Sequence, residues 1–256
     1  MKRAFLIALL LSIAIPAAAQ LRHPTSQILI SGAGSVAGAN GTFFHSDITV
    51  LNYRTSSQQV SFQWLPQNGA APAPIILTIN AASGIISEDF VGSILQLSGL
   101  GALVITAVDA NGNLDPSGQL YATERIWTPQ PGSTGTVSQT FPGIATSGLN
   151  LTAASILGQR IDSRYRTNVG IVNMDSVSRD FDVVRTTDAS GTLIAATITV
   201  PAMSLQQVPL SSDASTALQI LVTPHTGINP ALWMAYGSSV DNVTGDSWSS
   251  LGFQAR

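Results

Sequence analysis

The sequence predicts an all-β protein of two tandem antiparallel β-sandwiches behind a short secretory leader. Three observations carry that expectation. A stretch that opens on an aromatic and closes on Asn, residues 44–52, recurs at 165–173, which is 121 positions later. From residue 26 onward, short apolar or alternating runs are separated by Gly, Pro, Asn and Ser clusters, the pattern of many short strands joined by turns. At the start, Lys2 and Arg3 precede an apolar run over 4–15, Pro16 ends it, and Ala17-Ala18-Ala19 supplies a cleavage site. The apolar run is shorter than the ~20 residues that span a bilayer, so the reading is a cleaved signal peptide over 1–19 and no membrane span.

Taken in order, 26–30 reads as a strand and 31–41 as a Gly/Ala-rich connection. Gly32, Gly34 and Gly38 have a superficial likeness to a dinucleotide-binding turn, but that mechanism needs a helix N-terminus after the glycines. A turn into a strand follows here instead. Val60, Phe62 and Trp64 alternate with Ser61 and Gln63, a half-buried strand that points Trp64 into a core. Residues 66–74 form a loop, 75–79 a strand, 88–95 a helical turn or two, and 102–106 a strand apolar throughout and therefore central.

The repeat continues beyond its first match. Residues 77–83 align with 198–204 at the same shift of 121, 102–106 with 219–223 at 117, and 120–123 with 233–236 at 113. Losses confined to loops fit one fold present twice. The second copy carries strands over 164–174, 180–186, 192–200, 205–208, 218–223, 232–240 and 249–254. About seven strands per copy with regular turns suit an immunoglobulin-like sandwich. The resulting division is a signal peptide at 1–19, a first sandwich at 20–143, a linker at 144–150 and a second sandwich at 151–256.

Composition excludes several activities. Loss of Lys2 and Arg3 leaves nine basic residues, all arginine, against fourteen acidic ones, a net charge of −5 with no lysine. Scattered arginines on an acidic chain give no footprint for nucleic acid. Schiff-base and P-loop chemistry lack their lysine. With no cysteine there is no thiol nucleophile and no disulfide, so packed cores must supply the stability.

The segments Gly38-Ala39-Asn40-Gly41-Thr42-Phe43-Phe44-His45-Ser46-Asp47, 160–173 and Val240-Asp241-Asn242-Val243-Thr244-Gly245-Asp246 resemble phrases that recur in uncharacterised exported bacterial proteins with tandem immunoglobulin-like β-sandwich repeats. The resemblance covers nearly all of the mature chain. It implies a fold and an exported location, and it brings no site residues.

The candidate sites are few. Asp109, Asn111, Asn113 and Asp115 place oxygen ligands at alternate positions, as a weak calcium loop does, yet Leu114 and Leu120 stand where an EF-hand needs Gly and Glu. Asn111-Gly112 and Asp115-Pro116 equally make an ordinary turn. Arg160, Arg164 and Arg166 alternate with Asp162, which on a strand would line them along one face, either as an ion ladder or as an anion site. His23, His45 and His225 have neither a nucleophile elbow nor zinc spacing, and Glu88 and Glu124 are the only glutamates available for glycosidase work.

The expectation is therefore an exported, non-enzymatic binding, adhesive or structural module, secreted, periplasmic or at the cell surface, with no cofactor. Its partner would be a protein or polysaccharide of the envelope, and its edge strands invite self-association. A carbohydrate-binding module or secreted glycosidase is the first alternative. A periplasmic pilus-assembly chaperone is the second, against which the missing lysine counts.

Overall fold

The computed structural model describes residues 23–38, 41–130, 132–149, 151–187, 193–210, 217–225 and 232–254; the leader expected at 1–19 lies outside them. The described chain is nearly all strand, arranged as antiparallel sheets. In the N-terminal half the strands are β1 (Gln27–Ala37), β2 (Phe43–Asn52), β3 (Gln58–Pro66), β4 (Ile75–Ile79), β5 (Ser83–Ser87), β6 (Gly99–Val108), β7 (Leu120–Pro129), β8 (Thr136–Pro142) and β9 (Ile144–Ala145). In the C-terminal half they are β10 (Ala154–Leu157), β11 (Tyr165–Asn173), β12 (Arg179–Thr187), β13 (Leu193–Val200), β14 (Ser204–Pro209), β15 (Ala217–Pro224), β16 (Trp233–Asp241), β17 (Ser247–Leu251) and β18 (Phe253–Gln254). No helix among the described residues is long and apolar enough to cross a membrane.

The N-terminal sheet runs β4-β3-β6-β1-β2-β7-β8, with β5 on the other edge of β2. It doubles back at β1, whose residues 27–35 pair with β6 while Val36 and Ala37 pair with β2. The two leaves, β4-β3-β6-β1 and β5-β2-β7-β8, enclose one core. Val60, Phe62, Trp64 and Ile105 enter it from one leaf, and Ile48, Val50 and Ala122 from the other. The C-terminal sheets repeat the order as β13-β12-β15-β10 and β14-β11-β16-β17, around Val169, Ile171, Phe181, Val183 and Trp233. In both halves the first strand pairs with the sixth and the second with the seventh. An immunoglobulin sandwich instead pairs its first strand with its second and its sixth with its seventh.

Several expectations change in detail. The stretch 31–41 is mostly not a connection, because β1 continues through it to Ala37. A bulge between Ile30 and Ala33 bends the strand, and a side chain at Gly32 would press to 3.0 Å against the Phe141 ring. Glycine in a strand commonly marks such a bulge and close approach. The helical turn over 88–95 is a short π-type turn, Phe90–Ile94, capped by Asp89, which accepts from Gly92 N. Strands β5, β8 and β10 were not expected. Nor is 144–149 an open linker: β9 pairs with β1, Leu149 is buried, and Leu151 O accepts from Trp233 Nε1 at 2.6 Å.

A further difference determines the site. Strands β11 and β16 are buried on both faces. Val169, Ile171, Trp233 and Ala235 face the C-terminal core, while Val172, Met234 and Tyr236 join the N-terminal one. Their continuous apolar runs, 169–172 and 232–236, are the signature of a strand covered on both sides.

The repeated Asn has a structural reason. Asn52 Nδ2 donates to the carbonyls of Ser56, Ile79 and Asn80, at 2.9, 3.2 and 3.0 Å. Asn173 Nδ2 donates to Val177, Val200 and Pro201 at the same three distances. Each Oδ1 accepts the backbone N–H two residues on, from Arg54 and Asp175. The following turns match as well: Ala82 and Met203 adopt φ of 46° and 47°, a left-handed geometry rare outside glycine.

Replacing either Asn52 or Asn173 by Asp, which cannot donate to three carbonyls, should cost roughly 2–3 kcal/mol, read by urea denaturation. A change no larger than that of an exposed control substitution would show that the amide is dispensable. Trp64 is buried on Gly101 with its neighbours Val60 and Phe62. Trp64→Ala should cost ~3–5 kcal/mol as a core deletion, and a melting temperature within a degree of wild type would refute that placement.

Candidate binding cleft

The outer face of β11 and β16 does not close completely on the N-terminal half. It leaves a cleft of about 800 Å³, walled by β7, β8, the β1–β2 turn and the loop after β3 on one side. The other wall is β11, β14, β16 and the turn that follows β16. Alternation along β16 presents Tyr236, Ser238 and Val240 to this space. The Phe141 and Tyr236 rings meet edge-on at 4.9 Å in its floor. Tyr236 lies so close over Gly170 that any side chain there would overlap its ring.

The floor and walls hold their polar groups in fixed roles. Tyr236 OH donates to Gln207 Oε1 at 2.8 Å, and Ser238 Oγ donates to Gln139 Oε1 at 2.9 Å. Both amide oxygens are thereby occupied, which leaves the Nε2 groups of Gln139 and Gln207 as donors. Arg166 donates to Asn242 Oδ1 at 2.6 Å and has no carboxylate in bridging distance among the described residues. Asp241 is fully engaged: Oδ2 takes Nε and Nη2 of Arg164 at 2.9 and 2.7 Å, and Oδ1 takes the N–H groups of Val243 and Thr244. The Arg164 bonds, followed by the Val243 N–H, pull its carboxyl down to about 2.

Two lining groups are left without a partner. Thr128 is only 1% exposed, and its Oγ1 has no hydrogen bond. Gln67 Oε1 is likewise buried and unpaired. Water or a ligand in the cleft would complete the bonding of these two groups, while Ser31 Oγ, Glu124 Oε2 and Gln159 Nε2 are buried without a partner outside its lining.

Glu124 lies in the N-terminal core, close enough to Tyr236 for its charge to act on the phenol. Gly34 N donates to Ser46 Oγ at 2.7 Å, and Ser46 Oγ donates to Glu124 Oε1 at 3.0 Å. Burial pushes the Glu124 carboxyl well above the usual carboxylate range. Burial, and then the charge of Glu124, raises the Tyr236 hydroxyl. In the C-terminal half the corresponding position on β16 is Gly237, and Gln159 fills its place from the segment after β10, where a side chain at Gly237 would come within 2.6 Å of it. Gln159 Oε1 accepts from Ser239 Oγ at 2.8 Å, which accepts from Arg160 N at 3.1 Å. The same polar chain is thus built from either side.

The sequence-predicted sites lie elsewhere or are rearranged. Asp109 Oδ1 accepts from the N–H groups of Asn111 and Asn113, closing its own turn. Asp115 takes Ser117 N and Oγ on one oxygen and Arg54 on the other at 2.7 Å; the Ser117 hydroxyl leads the causes that lower its carboxyl. Among the described residues, no three His, Cys, Asp or Glu side chains converge as metal ligands.

Arg160, Arg164 and Arg166 do not share a strand face, a correction to the alternation reading. Only Arg166 lies on β11, because Asp162 Oδ1 accepts from Arg164 N and Tyr165 N and turns the chain before the strand begins. Arg160 and Arg164 come together over the Tyr165 ring, at 4.0 and 5.3 Å from its centroid. Each is also paired with an aspartate, Asp162 and Asp241. Arg166 alone reaches the cleft.

His45 Nδ1 lies 3.1 Å from Asp89 Oδ2, and His225 Nδ1 lies 2.8 Å from Asp182 Oδ1. The hydroxyl beside the second pair, Thr197, bonds the carboxylate rather than the imidazole. Sequence reasoning missed Gln67, Thr128, Gln139 and Gln207, which obey no spacing rule and meet only through the packing of the two halves. The chain matches no protein-family model and no curated protein.

The raised Glu124 carboxyl has a definite sign in stability. The folded state keeps its proton to a higher pH than the unfolded chain, so stability falls as pH rises from the ordinary carboxylate range toward the raised value. Glu124→Gln removes that term. Its stability relative to wild type should improve from pH 4 to pH 8, by at most about 1.4 kcal/mol per pH unit. Parallel stability–pH curves from chemical denaturation would sink the neutral-acid assignment.

Proposed function

We propose that this protein is an exported, non-enzymatic binding module of the cell envelope or extracellular space, and that it binds through the cleft between its two halves. The observation that carries the reading is the pair of buried, unpartnered polar groups, Thr128 Oγ1 and Gln67 Oε1, in the wall of a space large enough for a ligand. The leader over 1–19 and a surface poor in charge support export. The repeated strand order and matched Asn hubs support descent from one duplicated sandwich.

A hydrolytic role has less support. Of the two glutamates one is buried in the core and the other exposed, so they make no facing pair. The chaperone alternative needs a lysine that the mature chain lacks. Self-association has one favouring observation, the exposed Ile76 and Ile86 on the edge strands β4 and β5.

The cleft is tested by a substitution at its rim. Val243 is 80% exposed and lines the opening, so Val243→Trp should fill it without disturbing a core. Immobilised mature chain should retain a polysaccharide or protein component from envelope extract, and the Trp variant should retain at most a tenth as much. Equal retention by both would overturn the cleft as the binding site.

A further inference from the structure

The chemistry of the cleft is lopsided, and we infer from it, resting on the cleft reading above, that the ligand is a carboxylate-bearing saccharide. The donors are Arg166 from β11, Gln139 Nε2 from β8 and Gln207 Nε2 from β14, each fixed because its partner oxygen or neighbour is already committed. The one ionised acid in the lining, Asp241, has both oxygens occupied, so it neither accepts from a ligand nor neutralises Arg166. An acceptor-only group belongs against these donors, and the planar guanidinium fork matches a carboxylate.

The remaining demand is of a different kind. Gln67 Oε1 can only accept, whereas Thr128 Oγ1 can both donate and accept, and neither has a protein partner. Sugar hydroxyls do both. Arg166 is the one cation among the described lining residues, and on a mature chain of net charge −5 this suits a singly charged unit better than a densely charged polyanion.

The test is calorimetric titration of the mature chain with oligosaccharides of galacturonic, glucuronic and mannuronic acid, each beside its carboxyl-reduced neutral counterpart. Wild type, Arg166→Gln and Val243→Trp are compared. At least one acidic oligosaccharide should bind tenfold or more tightly than its reduced form. Arg166→Gln should abolish that preference, and Val243→Trp should abolish binding. Equal binding of acid and reduced forms, lost in the Trp variant, would overturn the carboxylate inference and leave the cleft standing. Binding that survives Val243→Trp would overturn the cleft as well. No binding by any acidic member at millimolar concentration would overturn the inference.

Discussion

The structure depends on the amide of one asparagine, used twice. Asn52 sits on β2 in one leaf and grips carbonyls at the end of β4 in the other; Asn173 does the same between β11 and β13. In a chain without cysteine these amides act as cross-leaf staples. The low dielectric of their surroundings strengthens the bonds and makes losing them costly. The turns after β4 and β13 follow from this hold. Ala82 and Met203 are kept left-handed, and their N–H groups donate to the carbonyls of Arg54 and Asp175, beside the same asparagines.

With the leaves fixed, the double burial of β11 and β16 sets the rest. A strand covered on both sides has no solvent to satisfy its outward polar groups. Ser238 and Tyr236 therefore bond to Gln139 and Gln207, and a polar chain below them ends on Glu124. Across the repeat the polar end of that chain is Glu124 from β7 in one half and Gln159 from the segment after β10 in the other. In the cleft lining the satisfaction is incomplete, and Thr128 Oγ1 and Gln67 Oε1 have no partner.

Much of the fold was legible because it rests on local pattern. Alternation at Val60, Phe62 and Trp64 gave the core face, and the 121-residue shift set Asn52 over Asn173 in the correct register. The arginine alternation misled because Asp162 prefers its own backbone, through an Asx turn, to an extended conformation. The glycines of β1 read as a loop in the sequence, while in the strand Gly32 admits the Phe141 ring and Gly34 the backbone of β6. The cleft was illegible for a deeper reason. Its groups come from β7, β8, β11, β14 and a loop, and only the packing of one half on the other decides which amide oxygen is used and which is left over.

The division of labour between neighbouring arginines sets what the cleft can achieve. Arg164 is spent on Asp241, which fixes the turn after β16 and so the rim of the cleft. Arg166, two residues further on and already on β11, keeps its charge for something else, and it is exposed, so water solvates it when the cleft is empty. Exchanging that water for a carboxylate gains only the modest free energy of a solvent-screened ion pair. Discrimination must therefore come from the unpartnered polar groups of the lining. There, a ligand that leaves Thr128 and Gln67 unmet gains nothing, and one that satisfies them removes a penalty the empty protein already carries. Charge would bring the ligand in, and the two orphaned groups would decide which ligand stays.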